Sequence, residues 1–373
     1  MESLAFFREA ADHPAAAEAL NRRTNGGRIL GTQCSGIPEE VIHAAGILPI
    51  RVRAPGLADT KHADAHLHRI NCSYTRSVLE YLILGKLDFL DGFVATNTCD
   101  HHLRLVSEVA DKSEYAFFHY FQMPHTTTAG AKQWFIQEMK RLIEHLEEHF
   151  HRSVSHDDLR HSISVYNRTR QLMARLNDMR KAQSPPLTGA EYMQIALAGM
   201  TVPREMFNEK LEALLPHLES RRNSENPLPR LMMIGGACDS PAFIDFIESR
   251  GARVVADGFC FGLRHYMNMI DEGLSDPLEA IADRYMSRIP CPSVIDGFDR
   301  TYAVIKKIIE DFDIQGVISA RLKFCDHFAG LRKLLADRLR RDGGVPVIEL
   351  EREYNTIKSG QISTRVQAFL EML

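Results

Sequence analysis

Seven cysteines are the residues of this 373-residue chain whose type and placement first invite chemistry: Cys34, Cys72, Cys99, Cys238, Cys260, Cys291 and Cys325. An odd number spread over the whole length does not make an extracellular disulfide framework. No tandem C-x-x-C pair occurs, which removes zinc ribbons and the bacterial ferredoxin run. Position is more telling than number. Cys99 ends the segment GFVATNTC, just ahead of a helix beginning near Asp100, and Cys325 ends GVISARLKFC ahead of a helix through Leu331 and Leu335. Cys238 lies in LMMIGGACDS between a strand and a helix, Cys260 follows the strand RVVADGF, and Cys72 opens the helix SYTRSVLEYL. In open α/β sheets, ligands bind outside the carboxyl ends of the strands. A helix start adds free N–H groups and a partial positive charge, which favour a thiolate and any anionic cluster held by thiolates. A single cysteine is more often a small buried packing residue. Several at strand ends, drawn from separate parts of the chain, suit a centre built between two domains.

Other chemistries find weaker support. Gly235-Gly236 lacks the third glycine of a dinucleotide fingerprint and reads as a tight strand–helix turn, and no G-x-x-x-x-G-K-[ST] loop for ATP occurs. His101, His102 and His327 stand beside cysteines, placed to donate protons or to hydrogen-bond sulfur; with 17 histidines in the chain, solvated or capping roles are the default. Glu144, Glu147 and Glu148 lie on a charged helix face and read as solvated. The 45 basic and 49 acidic residues leave a net charge of −4, so nothing drives phosphate-backbone binding and no nucleic-acid partner is expected. Apolar runs such as Leu82–Leu84 and Leu231–Ile234 fall far short of the ~18 residues that span a bilayer, and the N-terminus lacks the basic start and apolar core of a secretory signal. A cytoplasmic protein without a membrane partner is the expectation.

The elements that must position the cysteines follow from periodicity. Residues 1–25 read as an amphipathic helix closed by Thr24-Asn25-Gly26-Gly27, and Arg28–Thr32 and Ile47–Val52 as strands flanking a short helix with Pro38 in its first turn. Ser73–Leu84 and Leu103–Ala110 have helical spacing; Gly92–Ala95 and Tyr115–Gln122 are strand-like. From Ala129 to about Arg222 the pattern is helical throughout, and Asn223–Pro229 is the clearest linker. Strands then alternate with helices: strands at 230–234, 252–256, 316–320 and 346–349, helices at 241–250, 278–288, 295–311, 328–341 and 361–372. That alternation predicts an α/β fold with parallel sheets covered on both faces. The division expected is an N-terminal α/β domain over 1–128, a helical segment over 129–225 and a C-terminal α/β domain over 226–373.

Seven stretches carry a family resemblance. CSGIPEEVIHAAGILPIRV (34–52), NCSYTRSVLEYL (71–82), TNTCDHHLRL (96–105), ADGFCFGLRHY (256–266), RIPCPS (288–293), LKFCDHFAG (322–330) and GQISTRVQAFLEML (360–373) resemble, in that order, motifs of the 2-hydroxyacyl-CoA dehydratase and benzoyl-CoA reductase family. The resemblance covers essentially the whole chain, whose length is similar to that of the smaller, beta-type subunit. It implies two Rossmann-like (flavodoxin-like) domains with an iron–sulfur cluster in the cleft between them. Cys72, Cys99 and Cys325 match the family's three ligands to a 4Fe–4S cluster, whose fourth iron is left for water, hydroxide or substrate. One low-potential electron then reaches an acyl-CoA thioester and makes a ketyl radical anion. That permits dehydration of an (R)-2-hydroxyacyl-CoA or, in the reductases, reduction of an aromatic ring. The electron comes from a separate ATP-hydrolysing iron–sulfur activator, in keeping with the missing ATP loop.

The resemblance also leaves a second cofactor open. Cys34, Cys260 and Cys291 coincide with cysteines of a related branch, the double-cubane cluster proteins, in which one polypeptide of a homodimer holds an 8Fe–9S centre and reduces small molecules. Counting ligands, a single cubane takes three cysteines and one exchangeable group, whereas two bridged cubanes take six. The triad, with its helix-start context, makes the single 4Fe–4S cluster the first expectation, with a related second subunit as partner rather than a second copy. Ser35 and Glu39, at the start of a helix near the cleft, are the candidate contacts to the acyl group or its leaving hydroxyl; Glu39 and Glu40 serve equally as acids complementing the helix dipole.

Overall fold

Every strand pairing among the described residues is parallel. The structure, a computed structural model, describes residues 2–13, 15, 22, 27–221, 228–355 and 359–373. After helix α1 (Glu2–Asp12), the first sheet contains β1 (Ile29–Thr32), β2 (Leu48–Arg51), β3 (Gly92–Thr96) and β4 (Phe117–Phe121) in the order β2-β1-β3-β4. Its crossovers carry α2 (Glu39–Ala44), α3 (Ser73–Ile83) and α4 (Asp100–Lys112). Four helices follow: α5 (Ala129–Phe150), α6 (His156–Arg180), α7 (Gly189–Ala198) and α8 (Arg204–Ser220). The second sheet holds β5 (Arg230–Gly235), β6 (Arg253–Asp257), β7 (Gly316–Leu322) and β8 (Val347–Arg352) in the order β6-β5-β7-β8. Around it run α9 (Pro241–Glu248), α10 (Leu263–Tyr266), α11 (Pro277–Ser287), α12 (Phe298–Asp311), α13 (Asp326–Gly343) and α14 (Gly360–Leu370). The α/β fold with two parallel sheets is thus as the alternation predicts.

Burial explains the strand signals. β1, β2, β3 and β5 are buried at every position, which suits continuous apolar runs, whereas edge strand β4 alternates. One apolar cluster joins both sheets through the helical segment, running from Ile29 and Phe93 past Leu172 and Phe207 to Leu231 and Ile318. Some boundaries differ from the sequence reading. The helix after Cys99 starts at Asp100 as expected, and its polar first turn extends it ahead of the apolar period that begins at Leu103. Pro38 is the N-cap residue of α2, one position ahead of the first turn. The helix over 1–25 is described only as α1, and Thr24–Gly26 and most of the linker at 223–229 lie outside the described residues.

The strand order places a switch point between β1 and β3 and its counterpart between β5 and β7, where ligands gather in open parallel sheets. At the second of these, Gly235 ends β5 so close to β7 that a Cβ would run into the Ala320 carbonyl oxygen. Gly235→Ala is therefore expected to cost about 1–3 kcal/mol by overpacking. A urea melt reads it as a lower midpoint at unchanged slope; an unmoved midpoint would mean the two strands have room to spare.

Candidate functional site

Three cysteines stand as N-cap residues, each on a different helix. Cys72 caps α3, Cys99 caps α4 and Cys325 caps α13. Each therefore stands at the positive end of its own helix, and the Cys99 thiol accepts a bond from the first turn. The His102 N–H donates to Cys99 Sγ at 3.4 Å, and Thr75 Oγ1 lies 3.6 Å from Cys72 Sγ. Burial raises the Cys99 thiol well above its ordinary range, and the neighbouring Cys72, Cys325 and Cys291 sulfurs add to the effect. Cys325 is pushed up to about 12 by burial, with Cys72 and Cys291 again contributing. Two sheets and three crossovers thus bring these sulfurs within each other's electrostatic reach.

A second set adjoins the first. Cys34 lies just past β1, Cys260 just past β6 and Cys291 in the connection between α11 and α12. The Gly36 N–H donates to Cys34 Sγ at 3.4 Å. Cys260 is pushed up to about 11 by burial, against the pull of Arg51 and Arg264, and Cys34 and Cys291 raise it further. Cys291 belongs to both sets. Burial pushes its thiol up, yet Arg264 and Ser293 hold it below its ordinary range. Cys238 is fully buried in the β5–α9 turn, where burial raises its thiol and Arg352 opposes the rise.

The surroundings of these thiols are strongly cationic, a feature the sequence reading missed. Arg51, Arg264 and Arg288 are all at least nine-tenths buried, and Arg51 Nε and Nη1, Arg264 Nε and Arg288 Nη1 have no hydrogen-bond partner among the described residues. Behind them, Arg170 binds Glu40, Arg204 binds Glu39, and buried Arg284 donates to the His265 carbonyl oxygen. Six buried arginines thus face two buried glutamates. An uncompensated buried charge costs several kcal/mol, so such an interior calls for an anion. Thiolates carrying an iron–sulfur centre supply one, and the residues present fit that group. Among the described residues no three His, Cys, Asp or Glu side chains are gathered tightly enough to hold a single metal ion. A cluster differs in taking its thiolates on separate irons. The signal for the arginines lay within the quoted stretches, since Arg264 stands four residues after Cys260, Arg288 three before Cys291, and Arg51 in the segment that begins at Cys34.

The remaining candidates divide. Ser35 is buried, its carbonyl oxygen accepts from Arg288 Nη2 at 2.6 Å, and it lines a cavity of about 60 Å³ with Cys34, Cys291, Ser293, Arg264 and Arg288. Glu39 is placed elsewhere: its carboxylate is held by Arg204, with His265 Nε2 at 3.7 Å. Glu40 accepts from the Tyr285 hydroxyl at 2.8 Å as well as from Arg170. His102 is half-buried; its ring meets Thr98 Oγ1 at 2.7 Å, and desolvation, with Arg51 nearby, pushes it down to about 3. Larger grooves lie apart, one of about 780 Å³ beside Arg53, Asp239 and Tyr354 and one of about 870 Å³ along β8 and α14, and no cysteine lines either. No helix among the described residues is long and apolar enough to cross a membrane.

Comparison with known proteins gives the family. A putative dehydratase subunit, YjiM, of Escherichia coli K12 is 27% identical over 369 residues, covering 95% of this chain and 94% of its own. A benzoyl-CoA reductase subunit of Thauera aromatica is 26% identical over 344 residues, covering 90% and 88%. The beta subunit of (R)-2-hydroxyglutaryl-CoA dehydratase from Acidaminococcus fermentans is 21% identical over 366 residues, covering 94% of each. Residues 34–373, from the first cysteine to the last residue, match the family described as 2-hydroxyglutaryl-CoA dehydratase, D-component, and the chain belongs to that family.

Proposed function

We propose that the chain is an iron–sulfur subunit of a radical acyl-CoA enzyme of the dehydratase and benzoyl-CoA reductase kind, in which Cys72, Cys99 and Cys325 hold a cubane. The observation that carries the reading is the gathering of thiols from both sheets inside an interior with too many buried arginines. When bound, such a centre supplies single low-potential electrons and, at an open iron, a Lewis acid. The chain's own residues do the rest. The first turns of α3, α4 and α13 favour thiolate at the three caps, and Arg51, Arg264 and Arg288 offset the negative charge of the centre. Partial burial of the thiols limits the access of water to the site. With no ATP loop in the sequence, the energy for low-potential electrons falls to a separate ATP-hydrolysing activator. Relatives named as subunits support a second, related chain as partner.

One observation favours a second reading of the cofactor. Cys34, Cys260 and Cys291 lie in each other's electrostatic field beside the unpartnered arginines, and Cys291 also bears on the triad. Six thiols in two adjoining sets suit the double-cubane 8Fe–9S centre, whose bearer is a homodimer reducing small molecules rather than an acyl-CoA enzyme. Iron analysis of anaerobically purified protein separates the two: we expect about four irons per chain, unchanged on Cys34→Ser, Cys260→Ser or Cys291→Ser. About eight irons, half of them lost in those variants, would extend the centre to all six thiols and replace the acyl-CoA reading. A colourless protein without iron would remove both.

A further inference from the structure

We propose that His101 is a positioning residue that clasps together the three loops bearing Cys72, Cys99 and Cys325; the proposal rests on reading those cysteines as cluster ligands. His101 lies in the first turn of α4, two residues after Cys99. One ring nitrogen, Nδ1, lies 3.2 Å from Asn71 Oδ1, and the other, Nε2, lies 2.7 Å from the Phe324 carbonyl oxygen. Asn71 immediately precedes Cys72, and Phe324 immediately precedes Cys325. A single imidazole therefore touches the loop of each triad cysteine, and its Phe324 contact crosses from the first sheet's half of the molecule to the second's.

Both partners are themselves prepared for the contact. Asn71 is buried, its Nδ2 donates to the His68 carbonyl oxygen at 2.9 Å, and its own carbonyl oxygen accepts from Arg76 Nε at 3.2 Å. That fixes the amide with Oδ1 turned to the ring; a neutral imidazole carries one N–H, so the shorter Nε2 contact is the hydrogen bond, donated to the Phe324 carbonyl oxygen, and Asn71 is a side-on packing contact. Phe324 adopts the left-handed conformation with φ 62°, a region that a bulky residue rarely enters. The Cys325 N–H bonds back to the Leu322 carbonyl oxygen at 3.2 Å and closes the turn. This strained turn aims Cys325 at the head of α13, and the hydrogen bond from His101 holds its carbonyl in place. A second strut, His125, sets its Nδ1 3.0 Å from the Ser293 carbonyl oxygen and its Nε2 3.2 Å from Asn97 Nδ2. It does not touch the Asn71 or Phe324 loop, so loss of His101 loosens those two loops without parting the halves.

The test uses His101→Ala and His101→Gln in the full chain, since glutamine keeps an N–H for the Phe324 carbonyl. In protein stripped of iron, hydrogen exchange over residues 68–74 and 320–328 should quicken about tenfold in the alanine variant, as expected for one lost hydrogen bond and its packing contact, and stay near wild type in the glutamine variant. In loaded protein, iron release to a chelator should quicken by about the same factor, with a broadened electron-spin-resonance signal of the reduced centre, and glutamine should restore both. Exchange within about twofold of wild type in the alanine variant would overturn the clasp. Should wild-type protein take up no iron, the cofactor reading fails, and the exchange data still decide the clasp. Should the alanine variant not fold, glutamine decides: exchange quickened about tenfold over wild type overturns the proposal.

Discussion

Alanine at Cys72, Cys99 or Cys325 is expected to strip iron from the protein while leaving a folded chain. Each of these thiols stands at the N-cap of a separate helix, and no second cysteine lies in the same loop. Losing a thiolate removes both a ligand and a negative charge from the cationic interior. The rest of the centre then loses its hold, since the remaining thiols are raised by burial and accept protons readily at neutral pH. The caps matter less to the fold: of the three, only Cys99 accepts a hydrogen bond from its helix's first turn, and such a cap is worth about 1 kcal/mol. Iron analysis together with far-ultraviolet circular dichroism checks both halves of the expectation. Full iron in all three variants would sink the ligand assignment, and loss of the helical signal would make the cysteines structural instead.

Breaking the ion pair of Glu40 should be as costly to the fold as the cysteines are to iron. Glu40 is fully buried, bound by Arg170 and by the Tyr285 hydroxyl, and its main-chain oxygen accepts from Ser162 Oγ at 2.8 Å. Glu40→Gln leaves Arg170 buried without its carboxylate, a loss of about 3–5 kcal/mol. Glu40→Met with Arg170→Met should recover much of that, because it is the orphaned charge that hurts. The same pair gives a pH dependence. Burial by itself raises the Glu40 carboxyl, but Arg170 and Arg284 outweigh it and hold the group at about 2, against an ordinary 4.5. A depressed carboxylate stabilises the fold above its unfolded value, so the contribution is complete above about pH 5 and drains away as pH falls toward 2. Its size is on the order of 3 kcal/mol. Urea midpoints measured from pH 7 to pH 3 should fall in wild type and stay flatter in the double methionine variant. Parallel curves would show that Glu40 is not the group responsible.

Local chemistry made most of the fold legible. Buried runs such as LMMI at 231–234 and GVISA at 316–320 announce strands whatever their partners, and cysteines placed after strands point to the switch-point crevices. What escaped was long-range. Glu40 meets Arg170 and Glu39 meets Arg204 across more than a hundred residues, and no period or spacing connects them. Glu39 illustrates the difficulty: an acid at a helix start faces either a ligand or a distant cation, and only the packing of α8 against this region brings Arg204 to it. The left-handed Phe324 was equally hidden, because a bulky residue gives no warning of positive φ. Sequence located the thiols; the counter-charges around them needed the third dimension.

The all-parallel pairing has a consequence for the order of assembly during synthesis. A parallel pair cannot close through a hairpin, so Leu30 waits for Gly92 and Leu231 for Gly316 before either central ladder exists. Such non-local closure makes folding slow, and the N-terminal half emerges first. Cys72 and Cys99 leave the ribosome well ahead of Cys325, by on the order of ten to forty seconds at ordinary elongation rates. For that interval two thiols stand ready without the third, which arrives only with the last crossover of the second sheet. A centre of the proposed kind would therefore be completed only late in synthesis, once Cys325 and the last crossover of the second sheet have been made.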